Sequence, residues 1–109
     1  MIDLSFDHLE IVKDILRRCA PHCEVRAFGS RVAGKAKPYS DLDLVLVSTE
    51  KLSFKQVSLL RTAFEESKLP FRVDVLDWQT LSPTFRQIVL QKYEVLQGKD
   101  KFAETVEVR

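Results

Sequence analysis

The sequence predicts a protein of the α/β (α+β) class, in which helices pack against a small β-sheet. Segments with apolar residues at helical spacing alternate along the chain with short runs rich in Val, Leu and Phe. The helix-like segments cover residues 7–19, 53–67 and 83–92, and the strand-like runs cover residues 24–28, 41–48 and 71–76. With 109 residues, the chain has the length of one domain with a small core.

Composition points to an ordinary globular protein. Hydrophobic residues make up 45% and charged residues 30% of the chain. The formal net charge of +1 gives no strong signal for nucleic-acid binding, which usually depends on a basic excess. We expect no membrane contact, because no apolar run approaches the roughly 20 residues of a membrane span and the first residues do not resemble a secretion signal. These features favour a cytoplasmic location.

The first helix is predicted to begin near Asp7, which has the capping-box spacing to Glu10, and to cover the sheet with its apolar stripe. Cys19, His22 and Cys23 lie at its end. Zinc sites normally need a second pair of ligands, which the sequence lacks. We therefore interpret both cysteines as reduced thiols.

The later helices carry similar start signals. Ser53 pairs with Gln56 in a second capping-box pattern, and Ser82 followed by Pro83 is typical of an N-cap and a first helical residue. The helix after Ser53 is expected to direct an apolar stripe into the core, formed by Phe54, Val57, Leu60, Ala63 and Phe64.

The predicted strand over residues 41–48 is apolar on both faces beyond its first residues. Such strands are usually central in a sheet and covered on both sides. Because so short a chain offers few helices, one hypothesis is that one sheet face awaits a partner. The alternative is that side chains from the loops cover it.

A phosphate-binding loop is predicted at Gly29 and Ser30, which follow the first strand and introduce a short helix over about residues 30–34. Gly29 permits the backbone to approach a ligand closely. The N-terminus of a helix favours an anion, phosphate above all. Arg31 comes next and is expected either to contact a nucleotide phosphate or to orient an acidic neighbour.

Two carboxylates, Asp41 and Asp43, open the next strand. Residues two apart on a strand point to the same face, so these side chains project side by side. Adjacent carboxylates repel, and a divalent cation relieves that repulsion. Mg²⁺ usually takes one or two carboxylates and completes its shell with water and substrate phosphates. The loop and the two carboxylates together therefore predict a site for a nucleotide with Mg²⁺.

Asp74 stands in the otherwise apolar run over residues 71–76. A buried carboxylate needs a charged partner or a metal, because burying it alone is costly. A salt bridge to Arg72 on the same face is one interpretation, and a third metal ligand is the other. Asp77 is interpreted as a loop or cap residue, and Trp78 as a core residue rather than a stacking platform for a base.

The stretch F-G-S-R-x-x-G-x-A-x-x-x-S-D-L-D-L, from Phe28 to Leu44, resembles the Gly-Ser…Asp-x-Asp signature of the DNA polymerase beta nucleotidyltransferase superfamily. It is most similar to the minimal nucleotidyltransferase (MNT) branch, and the later V-D-V run extends the resemblance to about residues 25–96. The resemblance implies a polymerase-beta-like fold with a small mixed sheet and an extended segment at residues 93–96. We expect a single domain over residues 1–98 and a charged, flexible tail over residues 99–109.

The resemblance also implies roles for individual residues. Asp41, Asp43 and Asp74 are expected to be catalytic and to bind two Mg²⁺ ions, with Asp74 near the acceptor hydroxyl. Gly29 and Ser30, with Arg31, are expected to bind the phosphates of ATP. Attack on the α-phosphate then transfers a nucleoside monophosphate, and pyrophosphate leaves.

Proteins of the MNT branch are commonly encoded beside a helical HEPN-domain protein. The implied function is therefore transfer of AMP from ATP to a hydroxyl of a HEPN-type toxin, in an antitoxin role. The alternative is a non-catalytic nucleotide-binding antitoxin or sensor that acts by complex formation. A third possibility, adenylylation of an antibiotic or extension of a nucleic acid, is less favoured because the chain has no room for a substrate domain. A homodimer and a hetero-oligomer are both compatible with the sequence.

Overall fold

The computed structural model describes residues 2–98, so the predicted tail over residues 99–109 lies outside the described residues. The elements in chain order are α1 (Phe6–Cys19), β1 (Glu24–Phe28), α2 (Ser30–Ala33), β2 (Leu42–Val47), α3 (Phe54–Glu65), β3 (Val73–Asp77), a 3₁₀ helix (Trp78–Thr80), α4 (Pro83–Gln91) and β4 (Glu94–Gln97). The predicted α/β class is confirmed, and each predicted strand is present within two residues of its predicted bounds.

The four strands form one mixed sheet in the order β3-β2-β1-β4. β1 pairs antiparallel with both β2 and β4, whereas β2 and β3 run parallel. Parallel neighbours need a long crossover, which α3 supplies here. The two parallel strands therefore begin at the same end of the sheet.

Helices cover both faces of the sheet. α1 and α3 pack on one face, where the largest fully buried side chains include Leu16, Leu42, Leu44, Leu46 and Leu60. On the other face, Val89 of α4 packs with Phe28 and Val45. The hypothesis that one face awaits a partner is therefore not supported at β2, because Val45 is fully buried by the chain itself. None of the helices within residues 2–98 is long and apolar enough to cross a bilayer.

Two predictions about the first residues of helices were wrong, one about a cap and one about burial. The cap of α1 is Ser5, whose hydroxyl accepts from the backbone N–H of His8 at 3.2 Å, so Asp7 already lies inside the helix. Phe54 is 86% exposed rather than buried. It stands six residues before Leu60, and at about 100° per residue the two side chains point about 120° apart around α3.

The two other predicted caps are confirmed. The Ser53 hydroxyl accepts from the N–H of Gln56 at 3.1 Å, and the Ser82 hydroxyl accepts from the N–H of Phe85 at 3.1 Å. Pro83 is the first residue of α4, as predicted.

Candidate active site

The three predicted carboxylates come together at one end of the sheet. The parallel register pairs Asp43 of β2 directly with Asp74 of β3. Asp41 lies just before β2, two residues from Asp43. Burial raises the pKa of Asp43, and the neighbouring carboxylates of Asp74 and Asp41 raise it further, whereas the Arg72 guanidinium lowers it. Asp43 therefore lies in a field of negative charge that the protein offsets only in part.

Arg72 joins two of these carboxylates. Its Nη2 lies 3.0 Å from Oδ2 of Asp41 and 3.3 Å from Oδ2 of Asp74. The arginine side chain is 70% exposed, and the two carboxylates raise its pKa. The salt bridge from Arg72 to Asp74 is therefore present, and the role of Asp74 as a third metal ligand stays a prediction. The bond from Arg72 to Asp41 was not foreseen.

Gly29 brings the predicted phosphate loop against Asp43. It caps α2 with φ of 81° and ψ of −157°, a backbone region that side-chain-bearing residues avoid. A Cβ atom placed on Gly29 would lie 2.3 Å from Oδ2 of Asp43. The register explains this approach, because Phe28 of β1 pairs with Asp43 of β2. Only glycine fits here, and Ser30 follows at the half-buried start of α2.

The side chain of Arg31 is buried and hydrogen-bonded to the main chain. Its side chain donates from Nε to the Ser40 carbonyl (2.9 Å), from Nη1 to the Asp3 carbonyl (2.8 Å) and from Nη2 to the Pro38 carbonyl (3.1 Å). The guanidinium also lies 4.1 Å from the ring centroid of Phe71. Arg31 is only 5% exposed. The predicted contact with a nucleotide phosphate stays a prediction, whereas the contacts with the main chain are observed.

The interpretation of Asp77 and Trp78 agrees with the structure. Asp77 caps the 3₁₀ helix by accepting from the N–H of Gln79 at 3.0 Å, and it also accepts from the N–H of Leu52 at 2.8 Å. Trp78 packs against the α4 side of the core. Its ring also lies beside the guanidinium of Arg26, at 5.5 Å from the centroid.

The donor set suits a hard cation such as Mg²⁺. Carboxylate oxygens are the ligands that Mg²⁺ prefers, and the raised pKa of Asp43 marks negative charge that a cation would offset. Within residues 2–98, no three His, Cys, Asp or Glu side chains are grouped as a ready metal site. Since Arg72 holds Asp41 and Asp74, an ion bound by all three carboxylates would have to replace those contacts.

Comparisons with known proteins indicate a nucleotidyltransferase. The sequence profile of the family described as "Polymerase beta, Nucleotidyltransferase" matches residues 10–102. A protein of Haemophilus influenzae named "Probable protein adenylyltransferase MntA" is 52% identical over 103 residues, which is 94% of this chain and 90% of that protein.

Solved structures share the fold. A minimal nucleotidyltransferase structure is 32% identical, with a TM-score of 0.65 over 84% of this chain and 95% of that one. A chain in the complex of tri-AMPylated Shewanella oneidensis HEPN toxin with MNT antitoxin is 21% identical, with a TM-score of 0.60 over 89% of this chain and 78% of that one. The profile match and the sequence identity, with the carboxylates and the glycine loop in place, show that this chain belongs to the polymerase beta nucleotidyltransferase family.

Proposed function

We propose that this protein is a cytoplasmic, Mg²⁺-dependent adenylyltransferase that moves AMP from ATP to a hydroxyl group of a HEPN-domain toxin and thereby acts as an antitoxin. The observation that carries the proposal is the meeting of Asp41, Asp43 and Asp74 with the Gly29 loop at one end of the sheet. The relative at 52% identity is named "Probable protein adenylyltransferase MntA". A chain with the same fold occurs in a complex with a tri-AMPylated HEPN toxin.

Each residue has a distinct task in this reaction. Gly29 and Ser30 bind the β- and γ-phosphates, because a glycine lets those groups approach the backbone at the start of α2. Asp41 and Asp43 would hold two Mg²⁺ ions, and Asp74 would bind metal on the side of the acceptor hydroxyl. When bound, the two ions neutralise charge on the attacking and leaving oxygens of an in-line displacement.

The chemistry is a single displacement at phosphorus. The acceptor oxygen forms a bond to the α-phosphorus. The bond from that phosphorus to the oxygen that joins the α- and β-phosphorus atoms breaks. Pyrophosphate leaves with the bonding pair, and the acceptor proton passes to Asp74 or to water beside it. Positioning and charge neutralisation supply most of the rate, as in phosphoryl transfer generally.

A non-catalytic antitoxin or nucleotide sensor is the second candidate. The contacts of Arg72 with Asp41 and Asp74 favour it, because one guanidinium offsets part of the charge of these two carboxylates without a metal. In that case the protein would bind its partner and turn over no ATP.

Labelled ATP separates the two candidates. The tagged protein is purified together with its co-purifying partner and incubated with Mg²⁺ and ATP carrying label at the α- or the γ-phosphate. We expect label on the partner from the α position alone, and a loss of more than about 100-fold in Asp41→Asn and Asp43→Asn, since outer-shell changes alone cost 10–100-fold. Label from the γ position alone would show a kinase, and a stable complex with no label would favour the binding role.

Asp74 is tested separately from the other two carboxylates. Asp74→Asn should lower transfer while sparing ATP binding, because Asp74 is proposed to act at the acceptor rather than at the nucleotide. Calorimetry with ATP and Mg²⁺ measures the binding. An equal loss of binding and transfer would contradict that role.

A further inference from the structure

We propose that Arg31 is a positioning residue, which fixes the phosphate loop relative to Asp41 without touching the nucleotide. The inference rests on the proposed function for its catalytic consequence and on the contacts of Arg31 for its structural content. Three main-chain carbonyls accept from its guanidinium.

The burial of Arg31 requires these contacts. Arg31 and Asp77 are the buried charged residues of the described part of the chain, at 5% and 8% exposed. A buried charge is costly unless it is fully hydrogen-bonded. Nε, Nη1 and Nη2 of Arg31 each donate to a carbonyl, and the Phe71 ring lies against the guanidinium. These donors are therefore committed to the fold.

The contacts join the two ends of one loop. Arg31 follows Ser30 in the first turn of α2, directly after the phosphate loop, and its Nε reaches the Ser40 carbonyl, in the peptide that leads into Asp41. Residues 37–40 form a turn of their own, in which the Ser40 N–H donates to the Lys37 carbonyl at 3.0 Å. Arg31 attaches that turn to α2, and so it sets where Asp41 stands relative to Gly29.

The same side chain also anchors the start of the chain. The N–H of Asp3 donates to the carbonyl of Arg31 at 2.7 Å, while Nη1 of Arg31 donates to the carbonyl of Asp3 at 2.8 Å. The guanidinium of Arg31 thus contacts both the segment over residues 2–4, which a backbone bond also holds, and the loop over residues 35–41. Loss of that group should loosen both segments together and leave α1 and α3 unaffected.

Positioning and phosphate binding predict different kinetics. A displacement of about 1 Å can cost about 100-fold in rate. We therefore expect Arg31→Gln to lower kcat by about 10- to 100-fold and to change the KM for ATP by less than about threefold. Arg31→Lys should be nearly as defective, because one ammonium group cannot reach three separate carbonyls. A phosphate contact would instead give a raised KM that lysine partly restores.

Arg86→Gln is the matched control. Arg86 also donates to a main-chain carbonyl, that of Trp78 at 2.9 Å from Nη2, and lies over an aromatic ring, at 5.0 Å from the centroid of Trp78. It therefore loses the same kinds of contact at a different place. Arg86 lies in α4 and makes these contacts with Trp78, not with the phosphate loop or the carboxylates. We therefore expect the kcat of Arg86→Gln to stay within about twofold of the unmodified protein.

Amide hydrogen exchange supplies a readout that needs no transfer activity. In Arg31→Lys and Arg31→Gln, we expect exchange to accelerate in residues 2–4 and 35–41 but not in α1 or α3. If the unmodified protein transfers no label while both variants show this exchange pattern, the proposed function would be refuted and the positioning role supported. Unchanged exchange in those two segments, or near-normal kcat in Arg31→Lys, would overturn the positioning role.

Discussion

Asp43 carries an electrostatic strain that the folded protein does not fully relieve. Burial is the main cause of its raised pKa, and the carboxylates of Asp74 and Asp41 add to it. Because the folded state favours the protonated form, the protein loses stability as Asp43 ionises. At neutral pH the site is therefore less stable than its packing alone would make it, and a bound cation would recover part of that loss.

Asp43→Asn should raise the Tm of the metal-free protein near neutral pH. The stabilising effect of the protonated carboxyl is fully present below the unfolded pKa of 3.8 and is lost as the pH rises through the higher folded pKa. The gain from asparagine should therefore appear above that window and vanish below about pH 4. Thermal unfolding with a chelator measures it.

Asp14→Asn is the control for that experiment. Asp14 is exposed and pairs with Arg18 at 3.0 Å, so its replacement should change stability by less than about 0.5 kcal/mol. A Tm for Asp43→Asn that is equal to or below that of the unmodified protein would contradict the strain at Asp43.

Arg72 already supplies a positive charge to the carboxylates of the site. If its contacts with Asp41 and Asp74 must open for a cation to bind, Arg72→Gln should bind Mn²⁺ several times more tightly. Arg72→Lys, which keeps the charge but not the guanidinium fork, should lie between the two. A Mn²⁺ titration without nucleotide gives the affinities, and weaker binding by Arg72→Gln would rule out competition.

At the scale of elements, the site depends on how two strand ends meet a four-residue helix. Gly29 and Gly34 flank α2, and both have positive φ, at 81° and 76°. They differ in their surroundings, because a Cβ on Gly29 would collide with Asp43 whereas a Cβ on Gly34 would have nothing within 4 Å. They also differ in backbone conformation, because Gly34 is left-handed helical, whereas ψ of −157° places Gly29 in a region that is essentially restricted to glycine.

Gly29→Ala should cost more than Gly34→Ala. We expect about 1–2 kcal/mol for Gly34→Ala from the left-handed backbone alone. Gly29→Ala adds the collision with Asp43 and the cost of a backbone region that is essentially restricted to glycine, so it should exceed that value by at least about 1 kcal/mol. Urea unfolding provides both numbers.

Asp43→Ala combined with Gly29→Ala isolates the collision. The double variant removes the carboxylate that the new Cβ would meet, so the coupling between the two changes should be about 0.5–3 kcal/mol. Additive effects of the two changes would show that the backbone conformation, not the carboxylate, requires glycine.

The limits of sequence reasoning are clearest at this scale. Local signals predicted β1, the Ser53 and Ser82 caps and the shared face of the carboxylates, because each depends on neighbours a few residues away. The contacts of Arg31 with Asp3 and of Arg72 with Asp41 span 28 and 31 residues. No periodicity encodes such contacts, since they depend on which strands become neighbours.

At the scale of the whole molecule, α4 closes the second face of the sheet with few residues. Val89 is fully buried there, while its neighbour Ile88 is 52% exposed. The chain thus supplies its own cover over Phe28 and Val45, and the fold does not depend on a partner for that part of its core. The prediction of a strand covered on both sides was correct, and the predicted helix after Ser82 supplies the cover that one hypothesis assigned to a partner.

Val89→Ala should destabilise the isolated protein by about 2 kcal/mol, from lost burial and a small cavity. Ile88→Ala is the matched control and should stay within about 0.5 kcal/mol. Denaturant unfolding of the purified chain alone distinguishes them. Equal small effects of the two changes would mean that α4 does not cover the sheet in the isolated protein.

The pairing of Asp43 with Asp74 has a consequence for how the chain folds. The side chains of a strand alternate between faces, so a slip of β3 by one residue against β2 would turn Asp74 toward the apolar layer under α1 and α3. An unpaired carboxylate in that layer would be strongly disfavoured. Asp74, which is proposed to act in catalysis, therefore also disfavours a shifted register between β2 and β3. Replacing Asp74 with an apolar residue should permit that shifted register as well as abolish transfer.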